Sequence, residues 1–167
     1  LISQPDEQND RFGGAFAAGD FDGDGVADLC IGSDGESTGT ASQGGAVEVI
    51  FGAADAGFDP GGQFTPNDAD PKQAESSDHF GFAVASGNFD GDGFDDLAVG
   101  VPFDDVSGNA DAGEVAVFYG SATGLEAIAP AAVHSALPPG MPYSPTPFDL
   151  FGFALTSGDF DGSGTDD

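Results

Sequence analysis

Apolar residues in this chain fall in short runs that end at glycine and alternate with acidic, glycine-rich turns. In the middle of the chain, residues 80–87 (Phe-Gly-Phe-Ala-Val-Ala-Ser-Gly) predict a short strand entering such a turn, and residues 97–101 (Leu-Ala-Val-Gly-Val) predict the strand leaving it. A polar stretch rich in Gly, Asp and Asn follows at 103–112. Residues 114–119 (Glu-Val-Ala-Val-Phe-Tyr) then alternate in the manner of a half-buried strand ended by Gly120. A weaker fourth strand is expected within 127–136, with its counterpart in the first part of the chain near Gln63, Phe64 and Thr65.

The pattern repeats. Residues 12–52 align without a gap on residues 80–120, with 17 identities in 41 positions, and a third copy from Phe151 keeps 12 of 17 residues of the second before Asp167. Self-similarity at such a period indicates a repeat architecture. Four short strands per repeat make one antiparallel sheet, and sheets of that kind packed face to face around an axis make a β-propeller. The expected class is all-β, with blades at 12–79 and 80–150 and a truncated one at 151–167. Residues 1–11, opening with Leu1, Ile2 and Ser3, are expected to be the tail of a preceding blade.

Each copy carries one acidic cassette: Asp20-Phe-Asp22-Gly-Asp24-Gly-Val26-Ala-Asp28, Asn88-Phe-Asp90-Gly-Asp92-Gly-Phe94-Asp-Asp96 and Asp159-Phe-Asp161-Gly-Ser163-Gly-Thr165-Asp-Asp167. Side-chain oxygens at loop positions 1, 3, 5 and 9, with the backbone carbonyl of position 7 (Val26, Phe94 or Thr165), form an oxygen shell suited to a hard cation such as Ca²⁺. Without the ion the four carboxylates of the first loop repel one another, so metal binding and loop ordering are expected to be coupled. Glycines at positions 4 and 6 let the backbone turn tightly, with positive φ expected at some of them. An EF-hand would need a bidentate Glu at position 12 and flanking helices; Ile31 and Val99 stand there, inside apolar strands, so the EF-hand and dockerin readings fail. Asn88 removes one charge from the second site, and Ser163 lowers the expected affinity of the third.

Composition narrows the class further. With 28 Gly, 11 Pro, 16 Phe and 39% apolar residues, the chain can build a core but not long helices. Thirty acidic residues oppose only Arg11 and Lys72, for a net charge of −28, which excludes nucleic acid and disfavours anionic membranes as partners. Ten of the acids sit at the ligand positions; the others are expected to form a solvated surface. Cys30, the single cysteine, matches Ala98 in the second copy and is expected in the core. No apolar run approaches the ~18 residues of a membrane span. The chain begins without an initiator Met or a leader, so a secretory signal and further chain are expected outside it. None of Asn9, Asn67, Asn88 and Asn109 lies in a glycosylation sequon, which favours a microbial source.

The order Phe-Gly, then Gly-(Asp/Asn)-Phe-Asp-Gly-Asp-Gly-x-x-Asp-Leu, then Gly100-Val101-Pro102, then Gly113-Glu-Val-Ala-Val-Phe-Tyr-Gly120 resembles the FG-GAP repeat of integrin alpha-chain propellers and their bacterial relatives. The resemblance covers nearly the whole chain. It implies a propeller, seven-bladed in the integrins, with Ca²⁺ in the hairpin loop of each blade that keeps the cassette. It further implies a secreted or surface location and a role in adhesion or recognition. The first copy departs from the pattern with Gly32-Ser33-Asp34 where Gly-Ala-Pro is expected, a change that hardly touches the metal loop.

The reading that follows is a non-enzymatic recognition scaffold. Calcium loops brace one end, and the loops 33–43, 101–112 and 138–149 face a protein or glycan ligand. The Pro-rich insertion 138–147 reads as a linker between blades, and the other blades of the same chain are expected neighbours. The alternative is a set of accessory blades in an extracellular hydrolase such as a glycosylphosphatidylinositol-specific phospholipase D-like enzyme; a surface-layer or stalk element is a third. Catalytic patterns are weak. Residues 35–39 match the nucleophile-elbow spacing without the strand and helix it needs, and Gly23-Asp24-Gly25 begins like a dinucleotide fingerprint with no helix after it. His79 and His134 read as ordinary histidines, and the acid pairs Asp95-Asp96 and Asp104-Asp105 as solvated turns rather than a glycosidase pair.

Overall fold

A computed structural model describes residues 9–54, 57–65, 75–126, 132–134 and 144–167. Among these residues there is no helix. Two four-stranded antiparallel sheets follow one another along the chain, each in simple meander order. The first contains β1 (Ala15–Gly19), β2 (Asp28–Ser33), β3 (Ala46–Ala53) and β4 (Gly57–Phe64); the second contains β5 (Ala83–Gly87), β6 (Asp96–Val101), β7 (Glu114–Phe118) and β8 (Ala132–His134). These are the propeller blades expected from the pattern. The fourth strand of each falls in the expected place, and β4 begins several residues before it. The opening segment Leu1-Ile2-Ser3 and most of the Pro-rich insertion lie outside the described residues.

The two sheets are in the same register. Ala17 faces Cys30 as Ala85 faces Ala98, and Gly19 faces Asp28 as Gly87 faces Asp96. The acidic loop is therefore the β1–β2 hairpin in one blade and the β5–β6 hairpin in the next. The core lies between the sheets, where Phe21, Cys30, Val47 and Val49 of the first pack with Phe80, Leu97, Val99 and Phe118 of the second. Phe80 meets Phe118 edge to face at 6.1 Å. A second cluster forms on the far side of the second sheet, where Ala98, Val115 and Val117 pack with Phe151 and Leu155 of the third repeat. Cys30 is fully buried in the core, as expected, and burial pushes its thiol up to about 12.

One expectation needs correction. The strand predicted to begin at Phe80 begins at Ala83, because Gly81 takes a φ of +87° and turns the chain. Residues 77–80 instead run along the preceding blade: Ser77, His79 and Phe80 donate their amides to the carbonyls of Ser42, Gln43 and Gly44. The third repeat does the same, with Phe148, Leu150 and Phe151 donating to Ala110, Asp111 and Ala112. Close approach at these junctions explains the glycines there. A Cβ on Gly32 would overlap the Gly81 carbonyl oxygen, and one on Gly100 would overlap that of Gly152. Phe12, the first-repeat counterpart of Phe80, has no described segment against it in this way and is 52% exposed, whereas Phe80 is fully buried.

The candidate metal loops

Each acidic loop is held in shape by its own carboxylates. In the first, Asp22 Oδ1 accepts the Asp24 amide (3.1 Å), Asp24 Oδ1 the Val26 amide (2.7 Å) and Asp20 Oδ2 the Gly25 amide (3.0 Å). The second repeats the scheme, with Asp90 accepting from Asp92, Asp92 from Phe94, and Asn88 Oδ1 from Gly91. In the third, Ser163 donates its amide to both Asp159 and Asp161, and Gly164 donates to Asp159. The glycines at positions 4 and 6 all have positive φ, from +73° at Gly23 to +100° at Gly93.

The aspartate at position 9 has a different role from the rest. Asp28 is 1% exposed and accepts two buried amides, Phe21 at 2.8 Å through Oδ2 and Gly52 at 2.9 Å through Oδ1. Asp96 is fully buried and does the same with Phe89 (2.7 Å) and Gly120 (2.9 Å). In these two blades the residue thus ties its loop to the end of the third strand; Asp167 of the third loop is exposed and accepts the Phe160 amide at 3.2 Å. Burial raises both carboxyls above the usual range against the opposing pull of the amides, and the charges of Asp22 and Asp20 push Asp28 up further.

Asp20, Asp22 and Asp28 each bring one carboxylate oxygen within 4.8 Å of the others, and Asp159, Asp161 and Asp167 do likewise. Two oxygens bound to one Ca²⁺ at about 2.4 Å can be no more than ~4.8 Å apart, so these triads fit a single ion. Asp24 stands outside the first triad, occupied with Val26; in the third loop Ser163 Oγ accepts the Thr165 amide at 3.3 Å. In the second loop Asn88 supplies an amide oxygen where the others have a carboxylate. One further observation favours a cation: Asp20 Oδ1 is shielded from solvent and accepts no hydrogen bond. A buried carboxylate oxygen without a partner is costly unless a cation completes it.

A family model for the FG-GAP repeat matches residues 12–50 and 80–118. The chain is an FG-GAP repeat protein. It is 34% identical to integrin alpha-PS2 of Drosophila melanogaster over 166 residues, 91% of this chain and 11% of the relative. It is 33% identical to integrin alpha-3 of Mus musculus over 115 residues, 68% of this chain and 10% of the relative. The chain thus spans about a tenth of the length of these curated relatives. The match makes the chain an integrin alpha-like β-propeller module.

The FG-GAP repeats also touch one another loop to loop, through residues that the cassette pattern leaves unassigned. Asp95, read from sequence as part of a solvated acid pair, accepts the Asp20 amide at 2.8 Å through Oδ2 and donates its own amide to the Asp20 carbonyl at 3.0 Å. Asp166 holds Asn88 in the same two ways, each at 3.0 Å. The Phe94 ring lies over Gly23, and the Thr165 methyl over Gly91, where a Cβ would clash with each. Of the second acid pair, Asp105 accepts the Asp111 amide at 2.9 Å and the Asp104 carbonyl accepts that of Gly113. Asp34, at the position where the repeat pattern expects proline, accepts Arg11 Nη1 at 2.6 Å and lies 3.1 Å from His79 Nδ1. His79 thus joins Asp34 of its own blade to Phe103 of the next, whose ring it meets at 5.2 Å. Residues 35–39 form a turn closed by Thr38 and Ala41, with no helix after it, so the nucleophile-elbow match is without its scaffold.

Proposed function

We propose that this FG-GAP chain is a calcium-braced, non-enzymatic recognition module of a secreted or cell-surface protein. Its blades are 12–79, 80–150 and the start of another at 151–167. In the first loop Asp20, Asp22, Asp24, the Val26 carbonyl and Asp28 hold the ion. In the second, Asn88, Asp90, Asp92, the Phe94 carbonyl and Asp96 do so; in the third, Asp159, Asp161, Ser163, the Thr165 carbonyl and Asp167. Two observations support the reading: Asp20, Asp22 and Asp28 each bring a carboxylate oxygen within 4.8 Å of the others, and Asp20 Oδ1 is buried without a partner.

The metal's part is structural. Through Asp28 the ion is linked to the Phe21 and Gly52 amides, and thus to the start of the loop and the end of β3. Filling the loop removes carboxylate repulsion and fixes the hairpin against its sheet. The loops 33–43 and 101–112, at the opposite ends of β2 and β6 from the acidic hairpins, then face a protein or glycan ligand through their exposed tips, residues 39–40 and 107–108, while their buried parts hold the fold. Similarity to integrin alpha chains supports the surface location.

Thermal melts with excess Ca²⁺ and with excess chelator test the reading. A site with Ca²⁺ at 100 times its dissociation constant adds about 2.7 kcal/mol, and dissociation constants on the order of 10⁻⁴ M are expected of extracellular modules. Superimposable melting curves would rule out structural calcium.

A further inference from the structure

We propose that Asp95 and Asp166 are positioning residues that couple neighbouring metal loops, so that filling one loop raises the affinity of the loop before it. The proposal rests on the calcium reading above and deepens it.

Asp95 stands at position 8 of the second loop, between two assigned ligands of that loop, the Phe94 carbonyl and Asp96. Its carboxylate and its amide grip both backbone groups of Asp20, the first ligand of the preceding loop. Fixing Phe94 and Asp96 therefore fixes Asp95, and Asp95 in turn fixes the backbone that carries Asp20. The same arrangement recurs one blade on, where Asp166 lies between Thr165 and Asp167 and grips Asn88. Packing strengthens the link: a Cβ at Gly19 or Gly87 would press on the Asp95 or Asp166 side chain, so each carboxylate is seated against the end of the neighbouring first strand. Position 8 of the first loop is Ala27, which has no carboxylate to offer. The coupling thus runs along the chain in one structural direction, while thermodynamics makes its effect on affinity reciprocal.

The test is a Ca²⁺ titration of the whole chain followed by amide NMR, reading Gly25 for the first loop, Gly93 for the second and Gly164 for the third. Emptying the second loop with Asp90→Ala and Asp92→Ala should raise the half-saturation of Gly25 about five- to tenfold, the lower range of ordinary coupling between sites. In an Asp95→Ala background the same emptying should leave Gly25 unchanged, and Asp95→Asn, which keeps an oxygen acceptor, should restore the dependence. If Gly25 still responds to the second loop in Asp95→Ala, the clasp is not the link. If Asp95→Asn behaves like alanine, the effect is charge acting through space and the proposal is equally overturned. Should Asp95→Ala not fold, Asp166→Ala read at Gly93 and Gly164 makes the same comparison. Amides that ignore Ca²⁺ in every loop would instead sink the calcium reading itself, and the coupling with it.

Discussion

Replacing Asp28 with alanine should separate the scaffolding of the first loop from its response to calcium. Asp28 accepts the amides of Phe21 and Gly52 in a site with almost no solvent exposure. Alanine leaves both N–H groups buried without a partner, at about 1–3 kcal/mol each, so the net loss should be about 2–5 kcal/mol once some water enters. For a chain of this length each kcal/mol moves the melting point by about 2–4 °C, which predicts a fall of roughly 4–20 °C in excess chelator, where metal plays no part. Asp24→Ala is the matched control. Asp24 is exposed and its side chain accepts the Val26 amide, so its loss in chelator should stay within about 1 kcal/mol. Both variants should lose the stabilisation that Ca²⁺ gives the first loop. Circular-dichroism melts of the three proteins, with and without Ca²⁺, read all of this. Asp28→Ala melting with the wild type in chelator would refute the claim that position 9 carries the scaffold.

Three further outcomes are expected. Burial, joined by the charges of Asp104, Glu75 and Asp105, pushes the Asp78 carboxyl up to about 6 from 3.8, so the folded state binds its proton more tightly than the unfolded one. On this group's account stability is full below pH 4 and falls as pH rises toward 6; Asp78→Asn, which keeps an acceptor for the Glu75 amide, should raise the melting point at pH 7, by no more than about 3 kcal/mol of stability, and leave it unchanged at pH 4. Gly100→Ala should cost about 1–3 kcal/mol by forcing the Gly152 carbonyl away, and should speed hydrogen exchange at the Leu150 and Phe151 amides more than at β6. Cys30 should resist a thiol reagent in the native protein and react fully in guanidinium, because its thiol is buried and pushed up to about 12.

The acidic hairpin loops and the strands were legible for the same reason: both are local. Carboxylate spacing and short apolar runs depend only on neighbours in sequence: the structure brings the oxygens of positions 1, 3 and 9 together in the first and third loops and leaves Asp24, at position 5, outside, and it makes Glu114–Phe118 a strand buried along its whole length rather than the half-buried one expected. What joins one blade to the next was not legible. Nothing adjacent to Asp95 says that the Asp20 backbone lies opposite, and an Asp-Asp pair in a turn is ordinarily solvated. Phe80-Gly81-Phe82 looked like the start of a strand because apolar content alone does not reveal that Gly81 reverses the chain onto the previous sheet. A signal was nonetheless present: Asp95 and Asp166 occupy the same position of successive loops, as Gly32 and Gly100 do of successive strands. Repetition of a residue that no cassette role explains marks a contact between repeats.

The junction between blades has the same makeup on each occasion: a glycine near the end of one blade's second strand opposite the glycine that follows the opening phenylalanine of the next. At that point neither side presents a side chain, so the closest approach asks nothing of side-chain shape. A blade duplicated or deleted by unequal recombination inherits a fitting neighbour provided it keeps both glycines together with the carboxylate at loop position 8 and the apolar faces between sheets, features that travel within one repeat.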